Sequence, residues 1–376
     1  MDFDLDDEQQ MMRDLVVRLM TGRQDAAIRN RDRAAPEGFS AAHWRAMAEL
    51  GLLALPFGQD VGGMGAGPAA LITVMEELGR GLCSEPYLSD LILAGRLLER
   101  AGTAAQRDAW FPGIVAGEKR LVLAHVEPAA RFNPLTVRCR AAHHGADVEL
   151  DGVKTFVIAG VGADGFIVST RDDGAGDDDA DGISLWLVPA DAPGIDLRSY
   201  RLVDGGVACE LHLRGVTRAE RLDGGADALL ATFDEARVAA CAELVGIMAM
   251  MFDATLDHIR TRKQFGQPIG SFQAIQHRMA DCYVALEQSR SHLFRAALTV
   301  GADHPAAIAA AKSFVAAAAM KLGEECIQFH GGMGTSDELA LGHGHKRIML
   351  LAMLLGDSAS ERRRYLDLTR AEQGHA

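Results

Sequence analysis

The sequence is poor in the features that would mark several protein classes. Its six cysteines (Cys83, Cys139, Cys209, Cys241, Cys282 and Cys326) are scattered over 376 residues with no CxxC pair. That spacing excludes a disulfide scaffold and fits free buried thiols in a reducing cytoplasm. Positive charge is scarce, with 38 Lys plus Arg against 52 Asp plus Glu and a formal net charge of −14. A nucleic-acid binder would show the opposite footprint. Long uncharged runs are missing too. The most apolar stretch, residues 306–320, carries Lys312, and Lys321 follows it, where a membrane span wants about 20 apolar residues. The opening MDFDLDDEQQ has neither the cationic nor the apolar region of a signal peptide. These absences predict a cytoplasmic chain with no membrane or nucleic-acid partner.

What is present is apolar residue and glycine. Hydrophobic residues make up 48% of the chain, enough for a real core and too many for disorder. The 40 glycines exceed the usual ~7%. At about 150 residues per domain the length suggests two or three units.

The texture of the chain changes twice. Over residues 1–120 the spacing predicts helices: Met12, Leu15, Val16, Leu19 and Met20 share a face, with Asp6 and Gln9 as a capping box. Ser40 opens a second helix through Trp44, Met47 and Leu50, with Gly51 at its end. Over residues 121–227 the short segments VELDGVKTFVI, GFIVSTR, ISLWLVPA and CELHLRG, separated by Asp/Gly turns, predict an antiparallel β-domain. Over residues 228–376 four long helical segments, broken near Gly266–Gly270, Gly301–Pro305 and Gly331–Gly344, predict a four-helix bundle. The expected class is α+β in the order helical, β, helical.

Two clusters stand out in the breaks. Arg262-Lys-Gln-Phe-Gly-Gln-Pro-Ile-Gly-Ser-Phe-Gln273 reads by itself as a helix end with a basic last turn and a glycine stop. Gln328-Phe-His-Gly-Gly-Met-Gly334 runs a helix into a turn whose glycines let backbone N–H groups approach an anion.

Together, and in this order, these motifs make the chain resemble the acyl-CoA dehydrogenase family over essentially its full length. The matching residues are Arg262, Phe265 and Gly266; Phe272 and Gln273; Gln328 with Gly331, Gly332 and Gly334; and Glu338. In the N-terminal part they are Glu49-Leu-Gly-Leu-Leu53 with Gly62, Gly63 and Gly65. The resemblance implies three domains, an FAD, dehydrogenation of an acyl-CoA thioester within a tetramer, and an electron-transfer flavoprotein as acceptor. It implies that Arg262, Phe265, Gln328, Gly331 and Gly332 embrace the diphosphate and adenine of an FAD whose ring sits on a neighbouring subunit.

The chemistry also needs a carboxylate against the thioester α-hydrogen and hydrogen-bond donors on the flavin ring and thioester oxygen. Here the sequence departs from the family. In register, the usual base falls on Leu355 and the alternative position on Ala236. The Thr-Glu-Pro-x-Ala-Gly-Ser-Asp flavin motif becomes Val126-Glu-Pro-Ala-Ala-Arg-Phe-Asn133, and Trp-x-Thr becomes Phe156-Val-Ile158. The adenine side is kept and the ring side is lost. The expectation is therefore a non-catalytic, small subunit of a heteromeric acyl-CoA dehydrogenase, similar to the pimeloyl-CoA or steroid side-chain types. It would pair with a second acyl-CoA dehydrogenase subunit in a heterotetramer holding two copies of each.

Two alternatives stand beside this one. Glu243, seven residues after Ala236 and flanked by apolar residues, is either ion-paired or a relocated base of a self-sufficient homotetramer. Glu235 and Asp357 are weaker base candidates. The third possibility is an O2-using flavin enzyme of the same fold. No metal site is expected: Asp177–Gly182 reads as a solvated acidic hairpin in place of a calcium loop, and His143-His144 and His343-Gly-His345 read as surface pairs.

Overall fold

A computed structural model describes residues 6–145, 147–172, 176 and 179–373. Asp177 and Asp178, at the head of the acidic run, lie outside the described residues. The helices of the first part are α1 (Asp7–Met20), α2 (Ala26–Ala34), α3 (Ala41–Glu49), α4 (Pro68–Arg80), α5 (Arg96–Ala101) and α6 (Ala104–Val115). Their starts are set locally. Asp6 and Gln9 form a reciprocal capping box on α1, the Ser40 hydroxyl accepts the His43 N–H of α3, and Thr103 and Gln106 repeat the box on α6. Sequence periodicity did not reveal the π-helix Tyr87–Gly95, all nine residues of which are buried.

Eight strands follow: β1 (Leu121–Ala124), β2 (Arg140–His144), β3 (Asp147–Ile158), β4 (Gly165–Asp172), β5 (Ile183–Pro189), β6 (Ile195–Arg201), β7 (Val207–Val216) and β8 (Glu220–Arg221). They form one sheet in the order β6-β7-β3-β2-β4-β5-β8, with β1 beside β4. The sheet is mixed, which corrects the antiparallel expectation: β1 and β2 both run parallel to β4. Residue alternation reports which face a side chain occupies and carries no information on strand direction. One face closes over Val122, Leu150, Val157, Phe166, Trp186 and Leu211.

The C-terminal helices are α7 (Ala226–Thr261), α8 (Gln273–Leu298), α9 (His304–His330), α10 (Ala340–Met353) and α11 (Ser358–Gln373). The fourth segment of the expected bundle is thus two helices, broken at residues 354–357. Leu355 there has φ +61° and Gly356 φ +125°. Buried side chains hold the break. Lys312 Nζ donates to the Leu351 carbonyl at 2.5 Å, satisfying an open acceptor at the end of α10. Arg237 Nε donates to the Leu355 carbonyl at 3.0 Å and to Glu361 Oε1 at 2.9 Å. By composition α7 and the stretch Gly301–Thr335 are long and apolar enough to cross a membrane, yet their most apolar windows are 89% and 67% buried within the protein.

The chain folds into two compact units. One holds the chain up to Arg31, Gly67–Cys83 and everything from Arg237 on; the other holds Asp32–Ala66 and Ser84–Ala236. In the first unit α9 packs on α8, α10 and α11, and α4 packs on α8.

Candidate functional site

The two motif clusters of the sequence meet in the first unit, where α7 and α9 end and α8 begins. Their floor is apolar: Ile259, Met279 and Phe329 are buried together, with Phe252, Leu256, Ile269 and Ile275 packed against them. Arg262 to Gln273 does not end in the simple glycine stop read from sequence. Residues Lys263–Gln264 and Gln267–Pro268 pair as a small antiparallel hairpin. Its two-residue tip, Phe265 and Gly266, has φ +52° and +82°. Consecutive positive φ values make a primed turn, which matches strand twist but normally takes Asn-Gly. Phenylalanine here is held in a strained conformation and is 90% exposed, touching Phe272 edge-on at 6.1 Å. Strain of this kind gathers at functional sites. Arg262 beside it is exposed, and its guanidinium has no partner among the described residues.

At the end of α9, Gln328 is exposed while Phe329 and His330 turn inward. The chain then enters a tight turn, Gly331–Thr335. Gly331 and Gly332 are exposed, and a methyl on either would meet nothing within 4 Å. An unpaired guanidinium, an open glycine backbone and a projecting aromatic ring form one surface. These groups fit the diphosphate and purine end of a dinucleotide. His258, one turn before Arg262, stacks on His330 with ring centroids 4.1 Å apart. The sequence reading missed this contact.

The ring-side motif lies in the second unit. The β3–β7 register slips between Lys154 and Val157, a bulge that puts Phe156 at φ +54°. The Phe156 N–H donates to the Tyr200 hydroxyl at 3.1 Å, so this donor is already engaged. Ile158, half-buried two residues on, has no hydroxyl. These residues do not fit a flavin ring that needs hydrogen-bond donors. Glu127, retained from the family motif, is internal: its carboxylate accepts the Arg138 and Cys139 N–H groups at 2.8 and 3.0 Å and Lys154 Nζ at 2.5 Å. Lys154 holds the carboxyl below its ordinary range against the opposing effect of burial. Neighbouring His125 is pushed down to about 3 by burial and by the Lys154 charge, and is neutral.

The two positions at which the resemblance leads one to expect a base carry apolar side chains. Leu355 is half-buried in the α10–α11 break, and Ala236 is fully buried on α7. Glu243 is ion-paired within its own unit: Arg347 Nε donates to its Oε1 at 2.7 Å. Glu235 accepts Arg96 Nε at 3.0 and 3.1 Å and also meets Arg100. Asp357 accepts the Ser360 N–H at 2.7 Å as the cap of α11, and those hydrogen bonds hold its pKa down. His343 was expected on the surface and is fully buried, its Nε2 3.0 Å from the Asp337 carbonyl. It lies on the inner face of α10, whose direction two histidines and a glycine do not announce.

The family model "Acyl-CoA dehydrogenase, N-terminal domain" matches residues 6–118, and "Acyl-CoA dehydrogenase, C-terminal domain" matches residues 223–366. Probable acyl-CoA dehydrogenase YngJ of Bacillus subtilis (strain 168) is 30% identical over 375 residues, covering 96% of this chain and 97% of its own. Among solved structures, a variant of the Tcur3481-Tcur3483 steroid ACAD is 29% identical, with a TM-score of 0.88 over 98% of this chain and 99% of that one. The ChsE4-ChsE5 complex from Mycobacterium tuberculosis is 26% identical, with a TM-score of 0.88 and 97% of each chain covered.

Proposed function

The chain belongs to the acyl-CoA dehydrogenase family, and on that premise we propose that it is the subunit of a heteromeric acyl-CoA dehydrogenase that holds the dinucleotide end of FAD without supplying the base. FAD, when bound, accepts the hydride that leaves the β-carbon of an acyl-CoA thioester. In this reading Arg262 pairs with the diphosphate, the Gly331–Gly332 backbone approaches it, and Phe265 and Gln328 border the adenine. The partner, a second acyl-CoA dehydrogenase subunit, supplies the base, the ring-side donors and most of the acyl pocket. Kinship to chains of a steroid ACAD and of a two-protein complex supports a heterotetramer acting on a bulky acyl-CoA. An electron-transfer flavoprotein is the acceptor we expect. Six free cysteines, five of them buried, support a cytoplasmic setting.

The observation that carries the proposal is an asymmetry in chemistry. Every dinucleotide-end group is present and open, whereas the ring-side N–H of Phe156 is engaged by Tyr200 and the base positions hold Leu355 and Ala236. Glu243 as a relocated base is disfavoured by its pair with Arg347. Expression alone and with candidate partner subunits tests the reading. The lone chain should be colourless and inactive with acyl-CoA and an artificial electron acceptor, and the complex yellow and active. Arg262→Ala in this chain should lower the FAD content of the complex. A lone chain carrying stoichiometric FAD and turning over would overturn it.

A further inference from the structure

The stacked pair His258–His330 is the contact that joins the two phosphate-side elements. His258 lies in the last turn of α7, and its carbonyl accepts the N–H of Arg262, the residue directly after the helix, at 2.8 Å. His330 is the last residue of α9, directly before Gly331. Their rings lie 4.1 Å apart and 23° from parallel. His330 Nδ1 is 2.9 Å from the Cys326 carbonyl. A carbonyl only accepts, so Nδ1 carries the hydrogen and Nε2 is the nitrogen that can take another. Neither ring nitrogen of His258 has a hydrogen-bond partner among the described residues, and neither is sealed from solvent.

The charges that act on His258 are of one sign. Burial, His330 at the end of α9 and Arg262 just after α7 together lower the pKa of His258. From α8, Arg278 lies 4.6 Å over the Phe329 ring, but its Nε is bonded to Glu325 of α9 at 2.6 Å. Among the described residues no carboxylate lies within ion-pair distance of either imidazole. Burial and these positive neighbours therefore disfavour a charge on His258 while the surface is free, and what the stack lacks is an anion. A phosphoryl group beside Arg262 would offset the repulsion that disfavours a charge on His258.

We propose that the His258–His330 stack is part of the anion-binding surface and takes up one proton when a diphosphate ester binds beside it, so that nucleotide affinity rises as the solution becomes more acidic. The inference rests on the reading that Arg262 and the glycine turn hold a dinucleotide diphosphate. It adds a proton-carrying element to that surface, supplied from solvent and shared between two rings that cannot both be charged at this separation without mutual cost.

The test is a titration of the ring Cε1–H signals of the full chain by proton–carbon NMR, with and without ADP-ribose. That probe carries the adenosine diphosphate diester and no group that titrates near neutrality. Signals are assigned with His258→Phe, which keeps a ring on His330, and with His330→Asn. The expected result is a saturable rise of at least about half a unit in the apparent pKa of the pair, absent in Arg262→Ala. In His258→Phe the proton uptake should fall by at least half while the far-ultraviolet dichroism is unchanged. Arg262-dependent binding with the histidine titration unmoved would overturn the inference and leave the proposed function standing. If no Arg262-dependent saturation occurs up to millimolar ADP-ribose, the inference falls, while the proposed function, which asks the partner subunit to complete the site, is judged on the complex.

Discussion

Arg347 reaches Glu243 across the first unit and bonds its carboxylate at 2.7 Å, the glutamate side chain being 6% exposed and the arginine 22%. A paired carboxylate in this position is a structural group. Glu243→Gln should therefore destabilise the chain by about 2 kcal/mol, the value expected when one partner of a partly exposed buried pair is lost. Turnover of the assembled enzyme should stay within about twofold, far from the 10²–10⁴ of a lost general base. A correctly folded variant with turnover down a hundredfold would restore Glu243 as the base.

Close helix packing in the same unit depends on a missing side chain. A methyl on Gly246 of α7 would lie 1.8 Å from the Glu76 carbonyl oxygen and 2.7 Å from the Arg80 nitrogen of α4. Both contacts are backbone, so relief requires moving a helix. Gly246→Ala should cost at least about 3 kcal/mol, read as a lowered urea midpoint with an unchanged slope. An unaffected midpoint would mean that α4 and α7 do not approach this closely.

Lys312 gives the chain an alkaline signature. It is fully buried, and burial pushes its ammonium down to about 8, against about 10.4 when unfolded. Below that window both states hold the proton and the burial cost is constant. Across it unfolding takes a proton up, so stability rises with pH. Relative to Lys312→Met, the natural chain should gain up to about 3 kcal/mol between pH 8 and 10.5. Parallel stability curves for the two proteins would rule this out.

Phe265 sets stability against binding. Phenylalanine at φ +52° occupies a conformation that asparagine adopts more readily. Phe265→Asn should stabilise the chain by about 0.5–1 kcal/mol and reduce FAD retention of the complex on gel filtration. Loss of stability in a thermal melt, or full FAD retention, would remove the case for a functional aromatic at the tip.

What was legible in the sequence follows from distance along the chain. The caps at Asp6 and Ser40 need only their next three residues, and the glycine turn after Gln328 needs only its neighbours. That Leu355 and Ala236 carry no carboxylate is a matter of residue type and is read without the fold. Partners from remote segments are another matter. Glu127 looks like a surviving flavin residue until Lys154, 27 positions on, is seen to hold it. The hairpin tip at Phe265 defies its own conformational preference and is read as a glycine stop. His258 and His330 belong to helices that meet only after folding.

The openness of Arg262, Phe265 and Gly331 has a consequence for mass action. A cofactor enclosed by one chain is lost only as free cofactor is depleted. A cofactor gripped from one side by an exposed surface is lost whenever the opposing chain departs. FAD occupancy should then follow protein concentration as well as FAD concentration, and dilution alone should bleach the enzyme.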